Sequence, residues 1–90
     1  MNPRVSAVIA NNDYTLILTF TNQETRSFDI KPYLHYPAFS PLNEVNFFML
    51  AKVDHGTVVW PQNLDFDPDR LFIESTSLEN SIIDSSLRSE

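Results

Sequence analysis

The chain contains no cysteine, a single glycine, only six lysines and arginines, and no apolar run long enough to cross a bilayer. Without cysteine there can be no disulfide, no thiolate zinc site and no thiol nucleophile. One glycine, Gly56, leaves no glycine-rich loop of the usual kind to cradle a phosphate. The six basic residues, Arg4, Arg26, Lys31, Lys52, Arg70 and Arg88, are scattered and face twelve acidic ones, for a net charge of −6. A nucleic-acid backbone rewards clustered cations, so direct nucleic-acid binding is not expected. A positively charged protein partner, small and basic, is the easier electrostatic match. The first apolar run, Val5-Ser-Ala-Val-Ile-Ala10, is too short and too broken for a signal-peptide core. No later segment reaches membrane-spanning length, so a cytoplasmic location with no membrane association is expected.

What is present describes one small domain. Ninety residues, 42% hydrophobic and 12% aromatic, supply a core without staples. A chain of this size hides roughly 60–65% of its unfolded surface, and its net stability is on the order of 5–10 kcal/mol.

The first thirty residues alternate with a period of two, the signature of strands. Residues 4–10, 14–21 and 25–30 read as three strands of a meander. Leu16, Leu18 and Phe20 share one face of the second strand, and Phe28 and Ile30 point inward from the third. Asn11-Asn12-Asp13 and Asn22-Gln23-Glu24 supply turns, the first tolerant of left-handed backbone. From residue 31 to 48 the alternation stops, and Pro32, Pro37 and Pro41 forbid a long helix. Short helical turns are predicted near residues 31–34 and from about Ser40 or Asn43 to Phe48. Residues 50–54 and 57–60 then form a second hairpin around His55-Gly56, where the lone glycine predicts positive φ. Pro61 ends that strand. Asp67 and Pro68 predict the N-cap and first residue of a short helix, with Asp69 well placed against its positive end.

Val5, Val8, Leu16, Leu18, Phe20, Phe28, Leu50, Val58, Trp60 and Leu71 are the expected core. The fold class that follows is α+β: an antiparallel, meander-rich sheet of about five strands with one or two short helices packed on one face. The domain is expected to span residues 1–75. Residues 76–90 are serine-rich, with Leu78, Ile82, Ile83 and Leu87 at i, i+4, i+5 and i+9. They form a tail, either disordered or a helix ordered by a partner.

Five stretches follow one another in a recognisable order: Phe28-Asp-Ile-Lys-Pro-Tyr-Leu34, Phe39-Ser-Pro-Leu42, Phe47-Phe-Met-Leu-Ala-Lys-Val53, Gly56-Thr-Val-Val-Trp-Pro61 and Leu64-Asp-Phe-Asp-Pro-Asp-Arg-Leu71. The series resembles the bacterial family called domain of unknown function 2442, from Val5 to about Ser75. Where that family usually carries a glycine soon after Trp-Pro, this chain has Gln62-Asn63. Asn tolerates the left-handed geometry such a glycine would adopt. The resemblance implies a small α+β domain. Some of its members are fused to a helix-turn-helix, and others are encoded beside a small protein in toxin–antitoxin-like pairs. Ninety residues leave no room for the appended DNA-binding unit, so the pairing role is the implication that transfers. The resemblance brings no catalytic residues with it.

Each candidate for chemistry has a plainer structural reading. Asp65, Asp67 and Asp69 alternate as in a calcium loop, but Arg70 and Thr76 stand where an EF-hand needs glycine and glutamate. His35 and His55 lack a spaced carboxylate motif, and no serine sits in a nucleophile elbow. No catalytic residue, metal or cofactor is therefore expected, and the protein is read as a non-enzyme. Phe47 and Phe48 cannot both point inward from one short element, which makes them candidates for a partner-binding face. With Leu78, Ile82, Ile83 and Leu87 they are the expected interface of a non-catalytic interaction or regulatory module, antitoxin-like, that binds a basic protein. The alternative is a dimeric nucleic-acid-associated regulator gathering Arg4, Arg26, Lys31 and Lys52 on one face.

Overall fold

In the computed structural model of the chain, residues 2–78 are described. The period-two segments form an antiparallel meander of β1 (Val5–Ala10), β2 (Thr15–Phe20) and β3 (Thr25–Asp29). Leu16, Leu18, Phe20, Phe28 and Ile30 are all buried, as the alternation requires. β1 is irregular. Val5 lies opposite Phe20 but Ala7 opposite Thr19, so Ser6 is an extra, bulged residue whose hydroxyl donates to Thr19 O at 3.1 Å.

The turn before β2 departs from expectation in one respect. The left-handed residue is Tyr14 (φ 69°), not one of the preceding asparagines. Asp13 is occupied instead in accepting from Thr15 N (3.1 Å) and Thr15 Oγ1 (2.6 Å). Tyr14 is held in its unfavourable backbone well by its own side chain. Its hydroxyl donates to Asn43 O at 2.7 Å, and its ring lies 5.0 Å from that of Phe48.

The proline-rich stretch forms 3-10 turns over Lys31–Tyr33 and Pro37–Asn43, followed by the short α1 (Val45–Phe48). Asn43 Nδ2 pins the stretch by donating to Leu34 O (2.9 Å) and Ser40 O (3.2 Å). β4 (Lys52–Asp54) and β5 (Thr57–Trp60) are joined by His55 (φ 53°) and Gly56 (φ 76°), both left-handed, as a tight hairpin turn demands. Gly56 is needed twice over, because a Cβ there would lie 3.0 Å from Arg4 Cβ. Gln62 (φ 70°) and Asn63 (φ 60°) carry the left-handed loop after Trp60-Pro61. β6 (Leu64–Asp65), α2 (Pro68–Ile73) and β7 (Thr76–Ser77) complete the described chain.

The architecture is α+β, with two antiparallel sheets ordered β1-β2-β3-β7 and β4-β5-β6. The five expected strands are all present. The other two, β6 and β7, are two residues long each and give no periodicity to read. β7 takes Thr76 and Ser77 out of the expected tail and pairs them with Ser27 and Arg26.

One tie joins the two sheets and another fastens α2 and β7 to the first. Val5 N donates to Gly56 O at 2.9 Å, which ties the start of β1 to the β4–β5 turn. Arg26 points inward from β3. Its Nε donates to Ser75 Oγ (2.6 Å), Nη2 to Ser75 O (2.8 Å) and Nη1 to Glu24 (2.8 Å), and its guanidinium lies 4.6 Å above the Phe72 ring.

One expected core residue is misplaced. Leu50 lies before β4, in the turn after α1, and is 55% exposed. Val8 is half-buried. Leu42, Phe48 and Phe66 join the core in their place. Thr57 is buried as well, its hydroxyl donating to Phe66 O. Among the described residues no buried side-chain polar atom lacks a partner.

Candidate interaction surface

Two surface concavities among the described residues lie on either side of the β6–α2 connection. The larger is an open groove of about 650 Å³ across the outer face of β4-β5-β6. Antiparallel pairing sets Lys52, Val59 and Asp65 in one row across the three strands, with Asp54 opposite Thr57 in the next. Val59 thus lies between a cation and a carboxylate. Leu50 and Leu64 add apolar surface, and Gln62 and Asn63 form the far lip. His55, with its side chain 89% exposed, is 3.7 Å from the Asp54 carboxylate at the turn end. The groove offers a mixed, wet surface, with no positioned nucleophile–base pair among its residues.

The smaller concavity is a notch of about 260 Å³ between the 3-10 turns and the start of α2. Its walls come from Tyr33, Tyr36 and Phe39, spaced by three residues. Tyr36 N donates to Tyr33 O (3.1 Å) and Phe39 N to Tyr36 O (2.9 Å). Tyr36 itself is extended (φ −76°, ψ 133°) and separates the two 3-10 turns. The rings therefore reach one side through two successive turns, each closed by an i to i+3 backbone hydrogen bond. Phe66 forms the floor, and Asp67 and Arg70 stand at the mouth. The Tyr33 hydroxyl donates to Glu74, and burial followed by that carboxylate holds Tyr33 above the usual phenol range.

Asp67 is the N-cap of α2, as expected, accepting from Asp69 N at 3.1 Å behind Pro68. Among the described residues no group of three or more histidines, aspartates and glutamates is arranged to hold a metal. No helix among them is long and apolar enough to cross a membrane.

The proposed interface residues separate. Phe48 is fully buried, its ring stacked on Trp60 at 6.2 Å, and its carbonyl accepts from Trp60 Nε1 at 2.9 Å. It is a core residue of the described fold, with no surface exposed. Phe47 is half-buried on α1, and Leu78 is half-buried just beyond β7. Ile82, Ile83 and Leu87 lie outside the described residues.

Of the four cations considered for a nucleic-acid face, Arg26 is the inward clamp described above. Lys31 is 3.1 Å from Asp29. Arg4 lays its stem over Gly56, and Lys52 lines the groove. The aromatic notch was missed by sequence reasoning. Its signal was the Tyr33, Tyr36, Phe39 spacing, legible only once the two 3-10 turns on either side of an extended Tyr36 were placed.

The sequence model of a family described as Protein of unknown function (DUF2442) matches residues 5–77. No curated protein and no solved structure matches the chain.

Proposed function

We propose that this chain, which belongs to the DUF2442 family, is a non-catalytic protein-interaction or regulatory module, antitoxin-like, that binds a basic protein partner in the cytoplasm. The observation that carries the reading is the distribution of charge around the two concavities. Asp54 and Asp65 line the groove, Asp67 lines the notch, and Asp69 is close by; all four are exposed. The cations Arg26, Lys31 and Arg70 each lie within 4 Å of a carboxylate, at 2.8, 3.1 and 3.9 Å. Lys52 is an exposed cation of the groove, and against it the four carboxylates leave the surface around groove and notch net negative, which steers and orients a positive partner. Phe47, Leu78 and the segment beyond it add apolar contact in this reading.

The test is a titration of the chain against a lysine- and arginine-rich peptide and against duplex DNA, at about 50 mM and about 200 mM salt. Binding to the peptide is expected. It should weaken when Asp65→Asn and Asp67→Asn are combined, and change little with Asp29→Asn, whose carboxylate is already engaged by Lys31. Tight, steeply salt-dependent binding to DNA would favour the dimeric regulator instead and overturn this reading.

A further inference from the structure

We propose that the aromatic notch is a socket for a single arginine side chain projected by the basic partner, with the Asp67 carboxylate as its counter-charge. The inference rests on the reading of a basic partner and adds where and how that partner is gripped.

The geometry favours a flat cation. Phe39 and Phe66 stack on each other at 5.0 Å with 18° between their planes, too close to admit a group between them. Tyr33 stands edge-on to both, at 87° and 88°, so a flat guest lies along the outer side of the cluster against Phe39 and Tyr36. Tyr36, 48% exposed, is the outer wall. The space of about 260 Å³ holds roughly nine waters at the liquid volume. That suits one long side chain and excludes a folded segment.

Ring faces carry negative charge and attract cations. A guanidinium is planar and weakly hydrated and stacks on rings, whereas an ammonium keeps its water. Asp67 spends Oδ1 on the Asp69 N–H at 3.1 Å, and its exposed carboxylate retains the lone pairs that a guanidinium fork uses. The neighbouring Arg70 does not cancel it. Its Nη1 is 3.9 Å from Glu74, a carboxylate that also accepts from the Tyr33 hydroxyl, so Arg70 and Glu74 offset each other. The fold uses the same recognition internally, where Arg26 lies 4.6 Å above the Phe72 ring with Glu24 as its carboxylate.

The experiment is an NMR titration of the full chain, observed at its aromatic side chains. The probes are capped Gly-Arg-Gly, its citrulline analogue, which keeps the shape without the charge, and Gly-Leu-Gly. The arginine peptide should shift the Tyr36, Phe39 and Phe66 rings and bind about tenfold more tightly than the citrulline one. Asp67→Asn preserves the cap, because Asn caps as well as Asp, so melting should be unchanged while arginine affinity falls about three- to tenfold. Arg70→Gln should raise that affinity. Equal binding of citrulline or leucine, or full affinity in Asp67→Asn, would overturn the socket. Shifts confined to the β4-β5-β6 groove would overturn it too, yet leave the basic-partner reading standing. That reading fails separately, if the lysine- and arginine-rich peptide does not bind at all.

Discussion

Replacing Trp60 with alanine should remove much of this domain's stability. The side chain is 2% exposed and joins β5 to α1 through the hydrogen bond from Nε1 to Phe48 O at 2.9 Å. Its ring stacks on Phe48, which in turn meets Tyr14, so the cavity would open where β5, α1 and the turn into β2 converge. Truncating a buried aromatic of this size costs about 3–5 kcal/mol, out of roughly 5–10 kcal/mol for the whole domain. The lost hydrogen bond is the smaller part. Phe48 O also accepts from Ala51 N at 3.2 Å, so no carbonyl is orphaned. Trp60→Phe separates the two contributions: it keeps one ring and loses the indole N–H, for about 1–2 kcal/mol. At about 4–8 °C per kcal/mol for a domain this small, Tm should fall by roughly 12–40 °C in the alanine variant and 4–16 °C in the phenylalanine one. Far-UV circular dichroism follows the melts without relying on the deleted fluorophore. An alanine variant melting within about 4 °C of the parent would refute the reasoning, since that is less than the shift for a single kcal/mol. A phenylalanine variant as damaged as the alanine one would show that the packing argument has the wrong balance.

Three further outcomes are expected. Gly56→Ala should destabilise by about 1–2 kcal/mol from its φ of 76° alone, and by more if Arg4 cannot move from the 3.0 Å approach; an unchanged urea midpoint would refute this. Gln62→Gly should stabilise by about 0.5–1 kcal/mol by relieving a non-glycine at φ 70°, read as a higher urea midpoint with the same slope. Hydrogen bonds from Thr15 hold the Asp13 carboxyl below its ordinary value of 3.8, so the ionised group favours the folded state. Its contribution is present above that value and lost as pH falls through the lower folded value. Asp13→Asn should therefore shrink the fall in Tm between about pH 6 and pH 2, and an undiminished fall would count against it.

Local signals were read correctly where the competing options were few. Period-two alternation placed β1, β2 and β3 and the faces of Leu16, Leu18, Phe20 and Phe28. Chemistry peculiar to single residues placed the Asp67-Pro68 helix start and the turn at Gly56, while the family resemblance pointed to left-handed backbone at Asn63 and gave no sign that Gln62 would share it. The motif series was enough to point to the family.

What the sequence by itself determined is this local grammar: alternation, caps, turns and the overall balance of charge. Only the tertiary structure decided what lies far apart in the chain and meets. β6 and β7 are each two residues long and exist because β5 and β3 offer them a hydrogen-bonding edge. Leu50 and Phe48 are both large and apolar and stand two residues apart. Yet Phe48 lies on α1 against Trp60 while Leu50 falls in the turn beyond the helix end, a difference of where the helix stops that no hydropathy value carries. The notch is the clearest case. Tyr33, Tyr36 and Phe39 share a face only because two 3-10 turns, joined through an extended Tyr36, fold the segment back on itself, and they become a socket only when Phe66 and Asp67 arrive from β6–α2 to close it. Ring faces and a carboxylate attract a cation by proximity, and proximity between residues thirty positions apart is a property of the fold alone.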